Sequence, residues 1–233
     1  MATLLSVLVP VYNEEKTLPL VLEKINQVNL PWTTEVIIVD DGSTDGSAHL
    51  LERLSASSYN FRLKKAFHPQ NKGKGAAVVT ALSLAEGEVV IIQDADLEYS
   101  PQDWESLLRP VLENKADVVY GSRFLTGSKP KPWLNRWANQ FLTKLTNLLT
   151  GLNLTDMETC YKVFRRKLVE GLELKSSRFG IEPELTIKLA RAGARFHEVP
   201  ISYQGRKFQE GKKINWKDGL AAIYHIFRFR FFD

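Results

Sequence analysis

The sequence contains little sulfur and no long apolar run. Its 233 residues include two methionines and one cysteine, Cys160, so an internal disulfide framework is excluded and a reducing compartment is indicated. A membrane-spanning helix needs about 18 consecutive apolar residues, and no such run is present. The N-terminus has no basic segment before its first apolar stretch, which argues against a secretion signal. These absences predict a cytoplasmic protein without a transmembrane helix.

Motifs that hold phosphates on glycine-rich loops are also missing. The first predicted turn reads YNEE at 12–15 instead of G-x-G-x-x-G, which disfavours a dinucleotide-dependent dehydrogenase. The loop NKGKG at 71–75 lacks the spacing of a P-loop. The four histidines have no metal-ligand spacing, so a zinc site is not expected. A diphosphate bound by this chain therefore needs another source of positive charge.

Positive charge is concentrated near the C-terminus. The formal net charge is +4, and the whole excess lies in 206–233, where seven basic residues outnumber three acidic ones. Such a segment suits an anionic ligand, although a solvated basic end without a partner gives the same pattern. Residues 223–232 are mostly aromatic and basic, a composition that favours an anionic bilayer surface. We therefore predict peripheral contact with the cytoplasmic face of a membrane, and no nucleic-acid partner.

Apolar runs and helical patterns alternate along the first half of the chain. Five segments are predicted as strands: 4–11, 35–40, 62–67, 88–93 and 117–121. Nearly continuous apolar runs are typical of parallel strands that are covered on both faces. The pattern predicts an α/β fold with a mostly parallel central sheet and helices on both faces. Ligands of such sheets bind beyond the carboxyl ends of the strands, where the sequence places polar clusters at 12–15, 40–45, 94–98 and 122–123.

The second half is predicted to contain two helices and an edge strand. A stripe of apolar residues at spacings of three and four indicates a helix over 133–152. This helix is interpreted as packed on the sheet or on a second copy, with an interfacial helix on a membrane as the alternative. A further helix is predicted over 179–192 and a strand at the sheet edge over 195–203.

Paired acids follow the fourth predicted strand. Asp94 and Asp96 come directly after it, and Glu98 follows two residues later. Carboxylates at a strand end can converge on a hard cation, and Mg²⁺ or Mn²⁺ accepts one or two of them together with phosphate oxygens. Taken alone this D-x-D pattern is weak, because acids after strands are also common turn and capping residues. A second acidic cluster at 40–45 either forms a tight turn or accepts a hydrogen bond from a nucleoside hydroxyl or base edge.

Eight segments taken together are more specific than any one of them. They read VPVYNE at 9–14, VDDGSTDG at 39–46, NKGKG at 71–75, QDADLEYSP at 93–101, GSRF at 121–124, TDMETCYKVFRR at 155–166, FGIEPELTIKLA at 179–190 and SYQGRKFQEGKKINWKDG at 202–219. In this order they resemble family 2 glycosyltransferases, and the last three narrow the resemblance to the dolichol-phosphate mannosyltransferase branch, which loads a sugar onto a polyprenyl phosphate. The resemblance covers nearly the whole chain.

The resemblance implies a GT-A fold and a role for each matching residue. The glycosyltransferase domain would span 1–205, with a nucleotide-binding part at 1–125 and an acceptor part at 126–205, while 206–233 would close the site. Nucleoside contacts are implied for Pro10, Tyr12, Glu14 and Asp41. Diphosphate contacts are implied for Asp94, Ala95 and Asp96, and contacts to Mg²⁺ or Mn²⁺ for Asp94, Asp96 and Glu98. The positive charges that would neutralise donor and acceptor phosphates are Arg123, Arg206 and Lys212.

The reaction implied by the resemblance is a metal-dependent, inverting transfer of a hexose from a nucleotide-diphospho-sugar to a polyprenyl or dolichyl phosphate. The family name favours GDP-mannose as the donor, and UDP-glucose also fits. The catalytic residues implied are Asp96, Arg123 and Asp156, the last as a base or an orienting group unless it is an ordinary loop residue. A membrane surface and a membrane-anchoring subunit are the further partners implied. The alternatives are a family 2 enzyme with a sugar hydroxyl acceptor, or a silent sugar-nucleotide-binding protein.

Overall fold

The computed structural model describes residues 4–125, 133–178, 180–205 and 216–233, and one sheet forms its centre. The strands are β1 Leu4–Val11, β2 Thr33–Asp40, β3 Arg62–Phe67, β4 Val89–Ile92, β5 Val118–Ser122, β6 Lys162–Arg165 and β7 Phe196–Pro200. Their spatial order in this seven-stranded sheet is β3-β2-β1-β4-β6-β5-β7. β6 runs antiparallel to both of its neighbours, and the other pairs are parallel. The predicted α/β fold with a mostly parallel sheet is confirmed.

Helices cover the sheet. They are α1 Leu18–Asn26, α2 Ser47–Arg53, α3 Lys74–Leu84, α4 Trp104–Leu112, α5 Trp133–Thr150, α6 Ile181–Arg191 and α7 Trp216–Phe231. In β2 the four consecutive residues from Val36 to Val39 are fully buried, and all four residues of β4 are at most 4% exposed. Successive strand residues point to opposite faces, so burial of consecutive residues means that both faces are covered.

Each strand predicted from the sequence is present, and one strand is additional. β3 has the predicted bounds, and the predicted strand at 195–203 shortens to β7, which lies at the sheet edge as expected. β6 is only four residues long and lies between β4 and β5. It separates the carboxyl ends of β4 and β5 by the width of one strand, so the polar residues after them face each other across a crevice.

The predicted apolar stripe lies on helix α5, where some of its residues are buried and others are exposed. Its buried face is built on Leu142 and the polar Thr143 and Thr146. The hydroxyl of Thr143 accepts a hydrogen bond from the backbone N–H of Met157 at 3.1 Å, so the polar face of the helix holds the loop before β6. The stripe residues that pack against the core are Leu145, Leu149 and Leu152. The stripe residues that remain exposed are Trp137 (65%), Phe141 (57%) and Leu148 (81%).

The C-terminal residues form helix α7, which packs on the body of the protein. Its buried residues are Ala222, Ile226 and Phe229. The Arg230 side chain donates to the carbonyl of Leu149 in α5 at 2.6 Å, and the Asp233 carboxylate pairs with Lys188 of α6 at 2.9 Å. Part of the excess basic charge of the C-terminal segment is therefore used in internal contacts. Within the described ranges, no helix combines the length and the apolar character that a bilayer crossing requires.

Candidate active site

The D-x-D loop begins where β4 ends, and its carboxylates are partly exposed. Ala95 is 2% exposed. It anchors the loop between the two acids, which reach the surface of the crevice. The Asp96 carboxylate accepts a hydrogen bond from the backbone N–H of Glu98 at 3.1 Å. Leu97 between them has a φ of +64°, an unusual conformation for a bulky residue. Backbone strain of this kind is found at functional sites, where the surrounding structure holds it in place.

A lysine that the sequence analysis did not single out holds Asp94. Lys74 is the first residue of α3, and its ammonium lies 3.0 Å and 3.2 Å from the two carboxylate oxygens of Asp94. The same ammonium lies 3.1 Å from Glu182 Oε1, in the first turn of α6. Burial alone would lower the pKa of Lys74, but the carboxylates, Asp94 foremost, outweigh it and raise the pKa well above its usual value. Lys74 and Glu182 lie in two of the segments on which the family resemblance is based, and this resemblance could have identified them as candidates.

Asp41 organises the end of the crevice that follows β2. Its carboxylate is 2% exposed and accepts four hydrogen bonds: from the ring of His68 (2.6 Å), the Asn71 amide (2.9 Å) and the backbone N–H groups of Lys72 (3.0 Å) and Gly73 (2.7 Å). A carboxylate has about four acceptor positions, so the protein supplies a donor for each of them. Asp41 therefore fixes the loop 68–73 against β2, and His68 and Asn71 are functional candidates that sequence reasoning missed.

A cavity of about 510 Å³ lies at the carboxyl ends of β1, β2 and β3. Tyr12, one of the predicted nucleoside contacts, lines it together with Phe67 and His68. Pro10 lies in β1 opposite Val39 of β2. The volume and the mixture of aromatic and polar lining residues suit a planar, polar ligand.

Glu14 fixes the start of α1. It is 7% exposed, its backbone N–H donates to the hydroxyl of Ser47 at 2.8 Å, and its carboxylate accepts from the hydroxyl of Thr17 at 2.6 Å. These contacts join the first loop to α2, which follows the acidic turn after β2. Asp41 lies beside the end of β1, since its backbone N–H donates to the carbonyl of Val11 at 2.8 Å. The nucleoside contacts of Pro10, Tyr12, Glu14 and Asp41 stay a prediction.

Arg123 and Asp156 form a buried ion pair on the other side of the crevice. Arg123 Nε and Nη2 each lie 2.7 Å from an oxygen of Asp156, and the backbone N–H of Arg123 also donates to it at 3.0 Å. Asp156 is 0% exposed and Arg123 is 8% exposed. Burial would lower the pKa of Arg123, but the Asp156 charge outweighs it and raises that pKa. The pair is bidentate, so the guanidinium is held in one orientation.

Tyr203 connects the two sides of the crevice. Its hydroxyl donates to Glu98 at 2.8 Å, and the Arg123 guanidinium lies 5.3 Å from the centre of its ring. The ring therefore takes part in a cation–π contact with Arg123 while its hydroxyl holds the last acid of the D-x-D loop. The chain after residue 205 carries the predicted Arg206 and Lys212, and both lie outside the described residues.

The predicted metal ligands fit a hard divalent cation in their chemistry. Asp94, Asp96 and Glu98 are oxygen donors within five residues, at a partly exposed strand end, which is the donor type that Mg²⁺ and Mn²⁺ prefer. In the part of the chain that the structure describes, no three acidic, histidine or cysteine side chains are already gathered around one cation position. Asp94 is turned to Lys74 and Glu98 to Tyr203. Their role as ligands stays a prediction.

Most of the sequence matches the model of one known enzyme family. The model of glycosyl transferase family 2 matches residues 6–172. The chain belongs to glycosyl transferase family 2. It is therefore a glycosyltransferase, and the expected enzyme class is confirmed.

Three curated relatives are similar along most of the chain. Undecaprenyl-phosphate mannosyltransferase of Micrococcus luteus is 30% identical over 228 residues, which cover 93% of this chain and 90% of that protein. Undecaprenyl-phosphate 4-deoxy-4-formamido-L-arabinose transferase of Aeromonas hydrophila is 30% identical over 90% of this chain. Dolichol-phosphate mannosyltransferase of Pyrococcus furiosus is 27% identical over 96% of this chain. The match spans 62% of the length of each of these last two proteins.

Solved structures share the fold. Glucosyl-3-phosphoglycerate synthase from Mycobacterium tuberculosis in complex with UDP has a TM-score of 0.71 at 18% identity, covering 98% of this chain and 80% of that one. The same enzyme in complex with Mn²⁺, UDP and glucosyl-3-phosphoglycerate has a TM-score of 0.68 at 20% identity, with the same coverage of 98% and 80%. At this identity the likeness concerns the fold, and it confirms the expected GT-A architecture.

Proposed function

We propose that this glycosyltransferase moves a hexose from a nucleotide-diphospho-sugar to a polyprenyl phosphate, with inversion at the anomeric carbon. The observation that carries the proposal is the single crevice in which the acids after β4 face the buried guanidinium of Arg123 after β5, with Tyr203 in contact with both sides. The polyprenyl-phosphate sugar transferases among the curated relatives support the acceptor class.

The leaving group would be stabilised at the D-x-D loop. Asp94, Asp96 and Glu98 would hold Mg²⁺ or Mn²⁺, and the bound cation would stabilise the negative charge that develops on the departing nucleoside diphosphate. A solved neighbour of this fold is a complex with Mn²⁺. Ala95, buried between the acids, keeps the loop in place, and Lys74 keeps Asp94 in one orientation.

The acceptor side favours a phosphate over a sugar hydroxyl. A lipid phosphate is already ionised near neutral pH, since its second pKa is about 6, so it needs no strong general base. Both carboxylate oxygens of Asp156 accept hydrogen bonds from Arg123, and Asp156 is fully buried. This arrangement suits an orienting role for Asp156 and a phosphate-binding role for Arg123. Arg206 and Lys212 would add positive charge against the repulsion between the two phosphate groups.

The face formed by α5 and α7 supports contact with a membrane. Trp137, Phe141 and Leu148 of α5 are exposed, and α5 and α7 are joined by the contact between Arg230 and Leu149. The exposed aromatic residues of α7 and the end of the chain are Tyr224, Phe227, Phe231 and Phe232. Aromatic rings beside arginines are suited to the headgroup region of an anionic bilayer. We place the enzyme peripherally on the cytoplasmic face of a membrane, with a membrane-anchoring subunit as a further partner.

A donor and acceptor panel tests the proposed reaction. With Mn²⁺, GDP-mannose or UDP-glucose should raise the melting temperature, because a ligand that binds only the native state stabilises it. Mass spectrometry should then detect a glycosylated polyprenyl phosphate with the stabilising donor and none with a simple sugar acceptor. GDP-mannose is the expected donor. Transfer to a sugar hydroxyl, or donor binding without transfer, would contradict the proposal.

Removing the exposed apolar side chains of α5 should weaken vesicle binding. The variant combines Trp137→Ser, Phe141→Ser and Leu148→Ser, and we expect at least about a tenfold loss in co-sedimentation with phosphatidylglycerol vesicles, since each buried apolar side chain contributes about 1.5–3 kcal/mol. A control with Leu20→Ser and Leu84→Ser, which are exposed on α1 and α3, should bind as the wild type does. Equal binding by all three proteins would contradict the membrane face.

A further inference from the structure

A polar cluster is joined to Asp94 through Lys74, and its other members have no part in the mechanism above. It consists of Lys74, Glu158, Lys162 and Glu182. The side chain of Glu182 is 8% exposed and that of Lys74 is 16% exposed. The Lys74 ammonium joins this cluster to the D-x-D loop, because it contacts Asp94 at 3.0 Å and Glu182 at 3.1 Å.

Two carboxylate oxygens in this cluster are buried without a hydrogen-bond partner among the described residues. One is Oε2 of Glu182, whose other oxygen is held by Lys74; the second is Oε1 of Glu158. Native proteins leave few buried polar groups unsatisfied, and each such group calls for an explanation such as a ligand. Burial, followed by the nearby Glu182 charge, raises the pKa of Glu158 to about 7. The Glu182 carboxylate is thus one of the charges that act on Glu158.

The unpartnered carboxylate oxygens indicate which kind of ligand can bind to this cluster. The Glu182 carboxylate is paired with the Lys74 ammonium and accepts hydrogen bonds, so the partner missing at its Oε2 is a donor. A phosphate supplies acceptors and negative charge, and two carboxylates repel it. A hexose supplies neutral hydroxyl donors, and in a nucleotide sugar it is covalently attached to the diphosphate that the D-x-D loop is proposed to hold.

We propose that Glu182, together with Glu158, forms hydrogen bonds with hydroxyl groups of the donor hexose and so contributes to the choice of sugar. The inference rests on the proposed function, because it takes the diphosphate to lie at Asp94 and Asp96. Lys74 is a positioning residue: its ammonium lies between the carboxylates of Asp94 and Glu182, and without it these two negative charges would repel each other.

Lys162 fixes the loop that carries Glu158. Its ammonium donates to the carbonyl of Met157 at 2.9 Å and to the carbonyl of Thr159, so it clamps the loop on both sides of Glu158. It also lies 4.6 Å from the centre of the Tyr120 ring. The short strand β6, which begins at Lys162, thereby sets the position of the second carboxylate.

The test compares ligands with and without the hexose. Calorimetry should measure the affinity of the protein for a nucleoside diphosphate and for the corresponding nucleotide sugar, with Mn²⁺ present. In Glu182→Gln we expect about a 10- to 100-fold loss of nucleotide-sugar affinity, as for a lost hydrogen bond to a charged group, and an unchanged affinity for the nucleoside diphosphate. Donor analogues that each lack one hydroxyl should include one that binds Glu182→Gln and the wild type with equal affinity. The hydroxyl missing from that analogue is the one that contacts Glu182.

Glu184→Gln is the matched control. Glu184 lies in the same turn of α6 and is fully buried, but its oxygens bond the backbone N–H groups of Lys175 and Ser176 and the ammonium of Lys188. It should lower the melting temperature without distinguishing the two ligands. The inference is overturned if Glu182→Gln weakens both ligands equally, or if it weakens neither. A selective loss of the nucleotide sugar in a protein that transfers nothing to polyprenyl phosphate would reject the proposed acceptor while leaving this hexose contact standing.

Discussion

Asp96→Ala should reduce sugar transfer by about 10³-fold or more while leaving the fold intact, because it removes a carboxylate from the proposed cation site. Asp96 lies on the D-x-D loop at the edge of the crevice and is partly exposed, so no core packing is lost. Its contact with the backbone N–H of Glu98 is local to that loop. The measurement is the initial rate of glycosyl-polyprenyl phosphate formation across a range of Mn²⁺ concentrations.

The matched control for this substitution is Glu105→Ala. Glu105 is a 70% exposed acid on α4, where it pairs with Arg109 within the same helix, and its loss should leave transfer unchanged. Circular dichroism and the melting temperature should remain close to wild type in both variants. If Asp96→Ala kept full transfer at every Mn²⁺ concentration, the metal role of the loop would be refuted.

The parallel part of the sheet could be predicted because each of its strands is recognisable from its own residues. β1, β2 and β4 are nearly continuous apolar runs, and each is followed at once by the polar residues that line the crevice. Parallel neighbours bring their carboxyl ends to one edge, so the order of these segments was enough to place Tyr12, Asp41 and Asp94 in one region.

The remaining contacts depend on residues far apart in the chain. Lys74 and Glu182 are separated by 108 positions, and nothing in the sequence near either one indicates their ion pair. β6 is too short for its alternation to be distinguished from a loop, and its place between β4 and β5 is set by pairing on both sides. Helix α5 also depends on distant residues. The spacing of its apolar residues predicts the helix, but the segments that pack against it determine which face is buried.

Tyr203 connects two segments that are far apart in the sequence. The D-x-D loop and the segment after β7 meet through the Tyr203 hydroxyl on Glu98, and the backbone of Gln204 donates to the carbonyl of Glu98 at 2.9 Å. The segment after β7 is thus attached to the last acid of the D-x-D loop by one side-chain and one backbone hydrogen bond.

Asp156→Ala should lower the free energy of unfolding by about 3–5 kcal/mol, because it leaves the buried guanidinium of Arg123 without its counter-charge. The loss includes the hydrogen bond from the backbone N–H of Arg123, so the loop after β5 should also lose its orientation. Chemical denaturation measures the stability, and the rate of transfer measures the activity. We expect transfer to fall with stability, since Arg123 is the proposed phosphate ligand.

A paired substitution separates these two effects. Replacing both partners, with Arg123→Met and Asp156→Leu, should recover part of the stability, because no buried charge is left unpaired, although the backbone N–H at position 123 still lacks its acceptor. Transfer should nevertheless stay at the level of the single variant, because the guanidinium is absent. Recovery of transfer together with stability would show that the pair only supports the fold, and that the acceptor phosphate is bound by other cations.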